Sequence, residues 1–235
     1  MDAMLQSERA GDVLRLVLDR PARRNALSRA LIVRLAERLR EAERDRAVRA
    51  VILTGAPPAF CAGLDLTEVE AALAASGRFD TGPLADLLDL IQRLECPVVA
   101  AVNGVAAAGG AALVCVCDHV LMAASATIGY PGIRRGLVAP VVIPTLAAAV
   151  GPRRARSLLL SGRMLAADEA LRAGLCDEVV ADGGLAAQAL ARARSLAAID
   201  PEALAATKRL LRRTVAAPGD LARFRRVWRA AAKTR

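Results

Sequence analysis

Two short segments combine small residues in a way that leaves main-chain N–H groups open. One is Ala59-Phe60-Cys61-Ala62-Gly63-Leu64-Asp65-Leu66, and the other is Asn103-Gly104-Val105-Ala106-Ala107-Ala108-Gly109-Gly110. Each sits just before an expected helix. Small side chains let a ligand approach the main chain, and the first N–H groups of a helix have no internal acceptor. Two such loops facing each other can bind an oxygen on which negative charge develops.

Other reactive side chains carry less. The five cysteines are Cys61, Cys96, Cys115, Cys117 and Cys176, most of them in apolar runs. Cys115 and Cys117 form C-x-C rather than C-x-x-C, and His119 is the only histidine in the chain. That pattern argues against a zinc site and for buried, reduced thiols in a cytoplasmic protein. His119 reads as a satisfied core or interface histidine. Tyr130 is a candidate proton donor, set against its reading as a packed aromatic. Glu68, Asp86 and Asp89 read as solvated helix residues.

Composition bounds the class. A chain of 235 residues suits one medium domain, with or without a small appendage, and can bury a core without disulfide or metal support. Aromatics are only 2%, which leaves few surfaces for stacking bases and assigns the core to Ala, Leu, Val and Ile. The formal charge is +9, and all but two of the 33 basic residues, Lys208 and Lys233, are arginines. Arginine suits phosphate and carboxylate ligands, but the 24 acidic residues are interspersed with it. That mixing argues for an arginine-biased soluble surface and against nucleic acid as the main partner. The polar start, Met1 to Gly11, lacks the apolar stretch of a signal peptide. Pro97 to Cys117 mimics a membrane span, yet its Pro97, Asn103-Gly104 and Gly109-Gly110 read as strand, turn and buried helix.

The elements that must position the two loops follow from periodicity. Val13 to Asp19 alternates as a half-buried strand. Ser28 can cap a helix with the stripe Leu31, Leu35 and Leu39. Ala50 to Thr54 reads as a buried strand, and Gly55 to Gly63 as a loop. Leu84, Leu87, Leu88, Ile91 and Leu94 form a helical stripe that stops before Pro97. Val98 to Val102 suits a strand covered on both faces. A turn at 103–104 then leads to a helix running from near Ala108–Gly110 to Cys117. His119 to Ala123 and Ala126 to Ile128 are strand-like. One helix is expected near Val141–Val150, another from Pro152 to Ser161, and a short one capped by Asp168 and ended by Gly174. Cys176 to Val180 reads as the last strand. Beyond Gly184 the pattern is helical, ending in a stripe of Leu221, Phe224, Val227 and Trp228.

Taken together, these segments resemble the enoyl-CoA hydratase/isomerase (crotonase) superfamily. The two loops are similar to its oxyanion-hole segments. Arg20-Pro21-Ala22-Arg23-Arg24-Asn25-Ala26-Leu27 is similar to its first CoA-contacting loop. Gly136-Leu137-Val138 and Ala173-Gly174-Leu175-Cys176-Asp177-Glu178-Val179 match later landmarks. The resemblance covers roughly residues 10 to 215. It implies an α/β fold, a ClpP-like spiral of β-β-α units over residues 1–180, with a C-terminal helical trimerisation region over 181–235. It implies an acyl-CoA thioester as ligand, coenzyme A entering only as part of the substrate, no metal, and a homotrimer or dimer of trimers.

By the same resemblance, the N–H groups of Leu64 and Gly109 would polarise the thioester carbonyl. Cys61, Ala62, Asp65 and Leu66 would line the channel for the adenine and pantetheine of CoA, Arg23 and Arg24 would lie near its phosphates, and Gly110, Tyr130 and Pro131 would also bind substrate. The helix starting at Gly109 would add its positive end. Hydratases of this family hold water between two glutamates, which would fall at Ala112 and Gly132. Neither position is acidic, so hydration is expected to be slow or absent. A double-bond shift, a thioester hydrolysis, a decarboxylation or silent acyl-CoA binding remain as readings.

Overall fold

A computed structural model describes residues 4–138 and 140–215. The described residues form ten strands. They are β1 (Leu5–Ala10), β2 (Val13–Leu18), β3 (Ala50–Gly55), β4 (Ala59–Cys61), β5 (Val98–Val102), β6 (Val105–Ala107), β7 (His119–Ala123), β8 (Thr127–Gly129), β9 (Met164–Ala166) and β10 (Glu178–Val180). The helices are α1 (Arg29–Arg44), α2 (Leu66–Ser76), α3 (Gly82–Arg93), α4 (Gly109–Cys115), α5 (Val142–Ser161), α6 (Ala167–Ala173), α7 (Leu185–Ala197) and α8 (Pro201–Val215).

One sheet has the order β1-β2-β3-β5-β7-β10 and the other β4-β6-β8-β9. Pairing is parallel except at β1–β2 and β8–β9. The same small unit therefore recurs: a strand in the first sheet, a turn, a strand in the second sheet, then a helix. The pairs β3/β4, β5/β6 and β7/β8 each follow it, and in both sheets they lie in chain order. This is the α/β spiral of β-β-α units that the resemblance implied.

The sequence dictates these elements in physical terms. Ser28 caps α1 by accepting a hydrogen bond from Leu31 N–H at 3.2 Å. The stripe Leu31, Ile32, Leu35, Ala36 and Leu39 is buried. Every residue of β3 and β5 is buried, as expected for strands covered on both faces. Helix α7 runs across β2, β3, β5 and β7. Helix α8 is fastened by Lys208, whose Nζ donates to Asp118 Oδ2 at 2.6 Å and to the Cys96 carbonyl at 2.9 Å. Asp118 also accepts from Val98 N–H, so its role is structural.

Some elements differ from expectation. The polar start forms β1, turning into β2 at Gly11 with φ 70. The 55–63 loop contains β4, and the turn at 103–104 leads first to β6, so α4 starts after a strand and stops at Cys115. Such three-residue strands are defined by partners far along the chain, which local periodicity does not register. Ala166, not Asp168, occupies the N-cap of α6, where Glu169 accepts from Ala166 N–H. The last strand begins at Glu178, after Cys176 and Asp177. The break at Gly151-Pro152 is present as a kink inside α5, Gly151 having φ 76 and ψ 159. The stripe Leu221 to Trp228 lies outside the described residues.

The corner between β5 and β6 requires glycine for space. A Cβ on Gly104 would stand 2.5 Å from the Pro58 carbonyl oxygen, a main-chain atom. Asn103 completes the corner, its Oδ1 accepting from Gly55 N–H at 3.2 Å. Gly104→Ala should destabilise the fold by about 1–3 kcal/mol, the usual cost of overpacking, as read from urea denaturation midpoints. A variant with unchanged stability would show that the corner yields freely.

Candidate active site

The first loop is held by an isolated parallel bridge between Leu27 and Leu64. Leu27 N–H donates to the Gly63 carbonyl at 2.7 Å, and Asp65 N–H donates to the Leu27 carbonyl at 3.0 Å. Successive N–H groups of an extended chain point in opposite directions, so Leu64 turns its own N–H away from Leu27. That group donates to no described residue.

The second loop is set by Ala108. Its N–H donates to the Gly129 carbonyl at 2.9 Å, and its carbonyl accepts from Ala112 N–H at 3.0 Å. Between these fixed points Ala108 adopts φ 49 and ψ −110, a conformation that costs a side-chain-bearing residue of order 1–3 kcal/mol. The strained turn delivers Gly109 as the first residue of α4, whose N–H has no intrahelical acceptor. It too donates to no described residue. Helix α4 has only seven residues, so its dipole adds little to that N–H.

The two loops touch. A Cβ on Gly63, which has φ 93, would stand 3.2 Å from Gly109 N and 2.9 Å from the Ala107 carbonyl. A Cβ on Gly109 would stand 3.5 Å from Gly63 Cα, 3.4 Å from Leu27 Cδ1 and 3.3 Å from Leu84 Cδ2. Gly110 lies against β4, where a Cβ would come within 2.2 Å of the Cys61 carbonyl oxygen. Glycine at 63 and 110 is thus what lets α4 and the first loop approach. The walls at this junction are aliphatic.

The remaining expected site residues are distributed around it. Cys61 is buried in β4, and burial pushes its thiol up to about 12 despite a hydrogen bond from the Gly63 main chain. Ala62 and Leu66 are half-buried, Ala62 N–H donating to the Arg24 carbonyl at 3.0 Å. Arg23 and Arg24 are exposed on the 3₁₀ turn after β2, and Arg23 Nη1 donates to Thr67 Oγ1 at 3.4 Å. Tyr130 is buried with its hydroxyl 3.4 Å from Cys115 Sγ. Burial first, then Cys115, raises that phenol well above its usual range. Pro131 opens a 3₁₀ turn that contains Gly132. Ala112 is fully buried in α4. His119 lies between Glu178, 3.0 Å from Nε2, and Asp177, 3.5 Å from Nδ1. Among the described residues no cluster of His, Cys, Asp and Glu could hold a metal ion, and no helix is long and apolar enough to cross a membrane.

Two residues that periodicity and spacing single out for nothing brace this site. Arg20 Nη2 meets Asp65 Oδ2 at 2.9 Å. Asn25, fully buried with φ 56, donates from Nδ2 to the carbonyls of Ala56 at 2.8 Å and Ala59 at 2.7 Å. The available signal was their place in the Arg20–Leu27 segment.

Comparison with known proteins decides what this arrangement belongs to. Residues 8–226 match the family described as enoyl-CoA hydratase/isomerase. The chain belongs to the enoyl-CoA hydratase/isomerase family. It is 39% identical over 219 residues to a putative enoyl-CoA hydratase of Thermus thermophilus, covering 92% of this chain and 85% of that protein. A solved Pseudomonas aeruginosa structure superimposes with TM-score 0.83 at 38% identity, covering 94% of this chain and 97% of the other. A monofunctional enoyl CoA isomerase of M. smegmatis superimposes with TM-score 0.78 at 30% identity, covering 93% and 98%. The spiral of β-β-α units is therefore the crotonase fold of this family.

Asp65 also ties the site to pH. Burial raises its carboxyl, but hydrogen bonds from Arg20 and from Thr67 N–H, with the charges of Arg20 and Arg23, outweigh this and hold it below the usual range. A carboxylate depressed in the folded state contributes stability that is fully present above its unfolded value, about 4, and is lost as pH falls through the folded value. Asp65→Asn should therefore lower the melting temperature at pH 7, with that deficit narrowing as pH falls below the unfolded value of about 4. A deficit that stays constant with pH would contradict the assignment. The thiols supply a second check, since burial raises all five, Cys96, Cys115 and Cys176 to about 11 each. At pH 8 a disulfide reagent should label them slowly in the native protein and rapidly in denaturant.

Proposed function

We propose that this chain binds acyl-CoA thioesters and polarises the thioester carbonyl between the N–H groups of Leu64 and Gly109. The observation that carries this reading is the pair of N–H groups without an acceptor among the described residues, on loops that meet at Gly63 and Gly109. Relatives named as enoyl-CoA hydratase and enoyl CoA isomerase support an enoyl or acyl ester as ligand. In the aliphatic surroundings of Leu27 and Leu84, two preorganised donors stabilise an oxyanion or enolate more than they would in water. Removing one such donor typically costs ~10²–10³-fold in rate.

In this reading Arg23 and Arg24 face the CoA phosphates, and Ala62 and Leu66 border the pantetheine. Asp65 and Cys61 support the channel from beneath, and Gly110 sets its depth. Pro131 and Tyr130 close the acyl side, Tyr130 as a wall, because its hydroxyl is engaged by Cys115. Coenzyme A enters as part of the substrate, and the family likeness supports subunit contacts through the C-terminal helices of a homotrimer or dimer of trimers.

Water addition across the double bond asks for acids that positions 112 and 132 do not supply. A positioned general acid or base contributes ~10²–10⁴-fold, so their loss leaves polarisation without proton transfer. The chemistry that fits best is a decarboxylation, in which loss of CO2 leaves its electron pair as the held enolate without a base, whereas a double-bond shift or a thioester cleavage needs a base from outside positions 112 and 132. With none of these, the same pocket acts as a silent acyl-CoA binder.

Incubation with crotonyl-CoA, followed by the loss of enoyl absorbance, should show tight binding and hydration at least ~10²-fold slower than in a hydratase bearing both acids. A normal hydration rate would overturn the proton-transfer part of this reading, and no binding of any acyl-CoA would overturn all of it. At Gly132 a Cβ would meet only Leu137, at 3.6 Å.

A further inference from the structure

We infer that Arg20 is a positioning residue that aims the Leu64 N–H at the carbonyl oxygen, acting through Asp65 and Ala26. This rests on the carbonyl-polarising role proposed for Leu64. The N–H of Leu64 has no bond of its own within the described chain, so its direction is set by its neighbours. Those neighbours form two short rails, Gly63 to Asp65 on one side and Leu27 on the other, joined by the two hydrogen bonds that flank Leu64.

Arg20 grips both rails just beyond that bridge. One arm of its guanidinium meets Asp65 Oδ2 at 2.9 Å, and the other donates to the carbonyl of Ala26, the residue before Leu27. The pair is sheltered, with side-chain exposures of 18% for Arg20 and 7% for Asp65, so solvent screens it little. The base of Arg20 is fixed as well. Its main-chain N–H donates to Asn25 Oδ1 at 2.9 Å, and Asn25 is anchored in turn to the Ala56 and Ala59 carbonyls. One planar fork thus spans both rails, a task for which the point charge of lysine is poorly shaped. Asp65 completes the brace by accepting from Thr67 N–H at 3.2 Å, which ties the start of α2 to the same group.

A brace of this kind affects how strongly a bound carbonyl is polarised, whereas a merely structural staple affects stability and ligand capture alike. The two differ in a spectrum. The probe is 4-dimethylaminocinnamoyl-CoA, a push–pull enoyl thioester whose absorption moves to longer wavelength when its carbonyl is polarised. Wild-type protein at saturation should red-shift it. Arg20→Ala and Asp65→Asn should each lose roughly half or more of that shift at saturation, and Arg20→Lys should recover only part of it. Affinity for free coenzyme A, which has no acyl carbonyl, should change by less than about threefold in the two Arg20 variants. Where Arg20→Ala fails to fold, Arg20→Lys, which keeps the stem and the charge, carries the test. Folded variants that keep the full shift overturn the inference. So does a shift that falls only in step with affinity for free coenzyme A. If wild-type protein binds the probe with no shift, the carbonyl-polarising role itself falls, and the inference with it.

Discussion

The close approach of Gly63 and Gly109 is the constraint around which the site is built. Two loops from separate β-β-α units come within van der Waals distance there because Gly63 and the neighbouring Gly110 carry no side chain. A methyl group at 63 would strike the Ala107 carbonyl, and one at 110 would strike the Cys61 carbonyl. The flanking N–H groups are then brought to one place, and the cost of turning the chain there is borne by Ala108 in a conformation that favours glycine.

The spiral explains why such a meeting recurs at this point of the fold. Each unit sends one strand into the six-stranded sheet and the next into the four-stranded sheet, so β4 and β6 become neighbours although 43 residues separate the end of one from the start of the other in the chain. The loops that leave these two strands are therefore adjacent. Helix α4 follows β6, and its glycine face lies on β4. Backbone pairing thus sets the coarse position of the two N–H groups. Their direction is set by the Leu27 bridge on one side and the Gly129 carbonyl on the other.

Much of this was legible in the sequence, and what was not has a physical reason. The α1 cap at Ser28, its leucine stripe, the continuously buried β5 and the Gly151-Pro152 break all follow from short-range rules, and the structure contains them. The strands β4 and β6 escaped because three residues carry no period; what makes them strands is each other. The end of α6 was signalled by Gly174, while its start was misplaced onto Asp168, because the cap there is supplied by Glu169 reaching back rather than by a side chain at the cap itself. The small-residue loops could be found from the sequence because glycine is informative about close approach. Arg20 and Asn25 could not be assigned a task that way, since the partners that tie them to the site, Asp65, Ala56 and Ala59, lie more than 30 residues away.

The central claim is that two main-chain donors from different units converge on one carbonyl oxygen. A crystal structure with an unreactive acyl-CoA analogue that retains this carbonyl tests it most directly. The account predicts the oxygen within about 2.7–3.1 Å of both Leu64 N and Gly109 N. An analogue bound with its oxygen on one of them alone, or seated away from the Gly63–Gly109 junction, would contradict it.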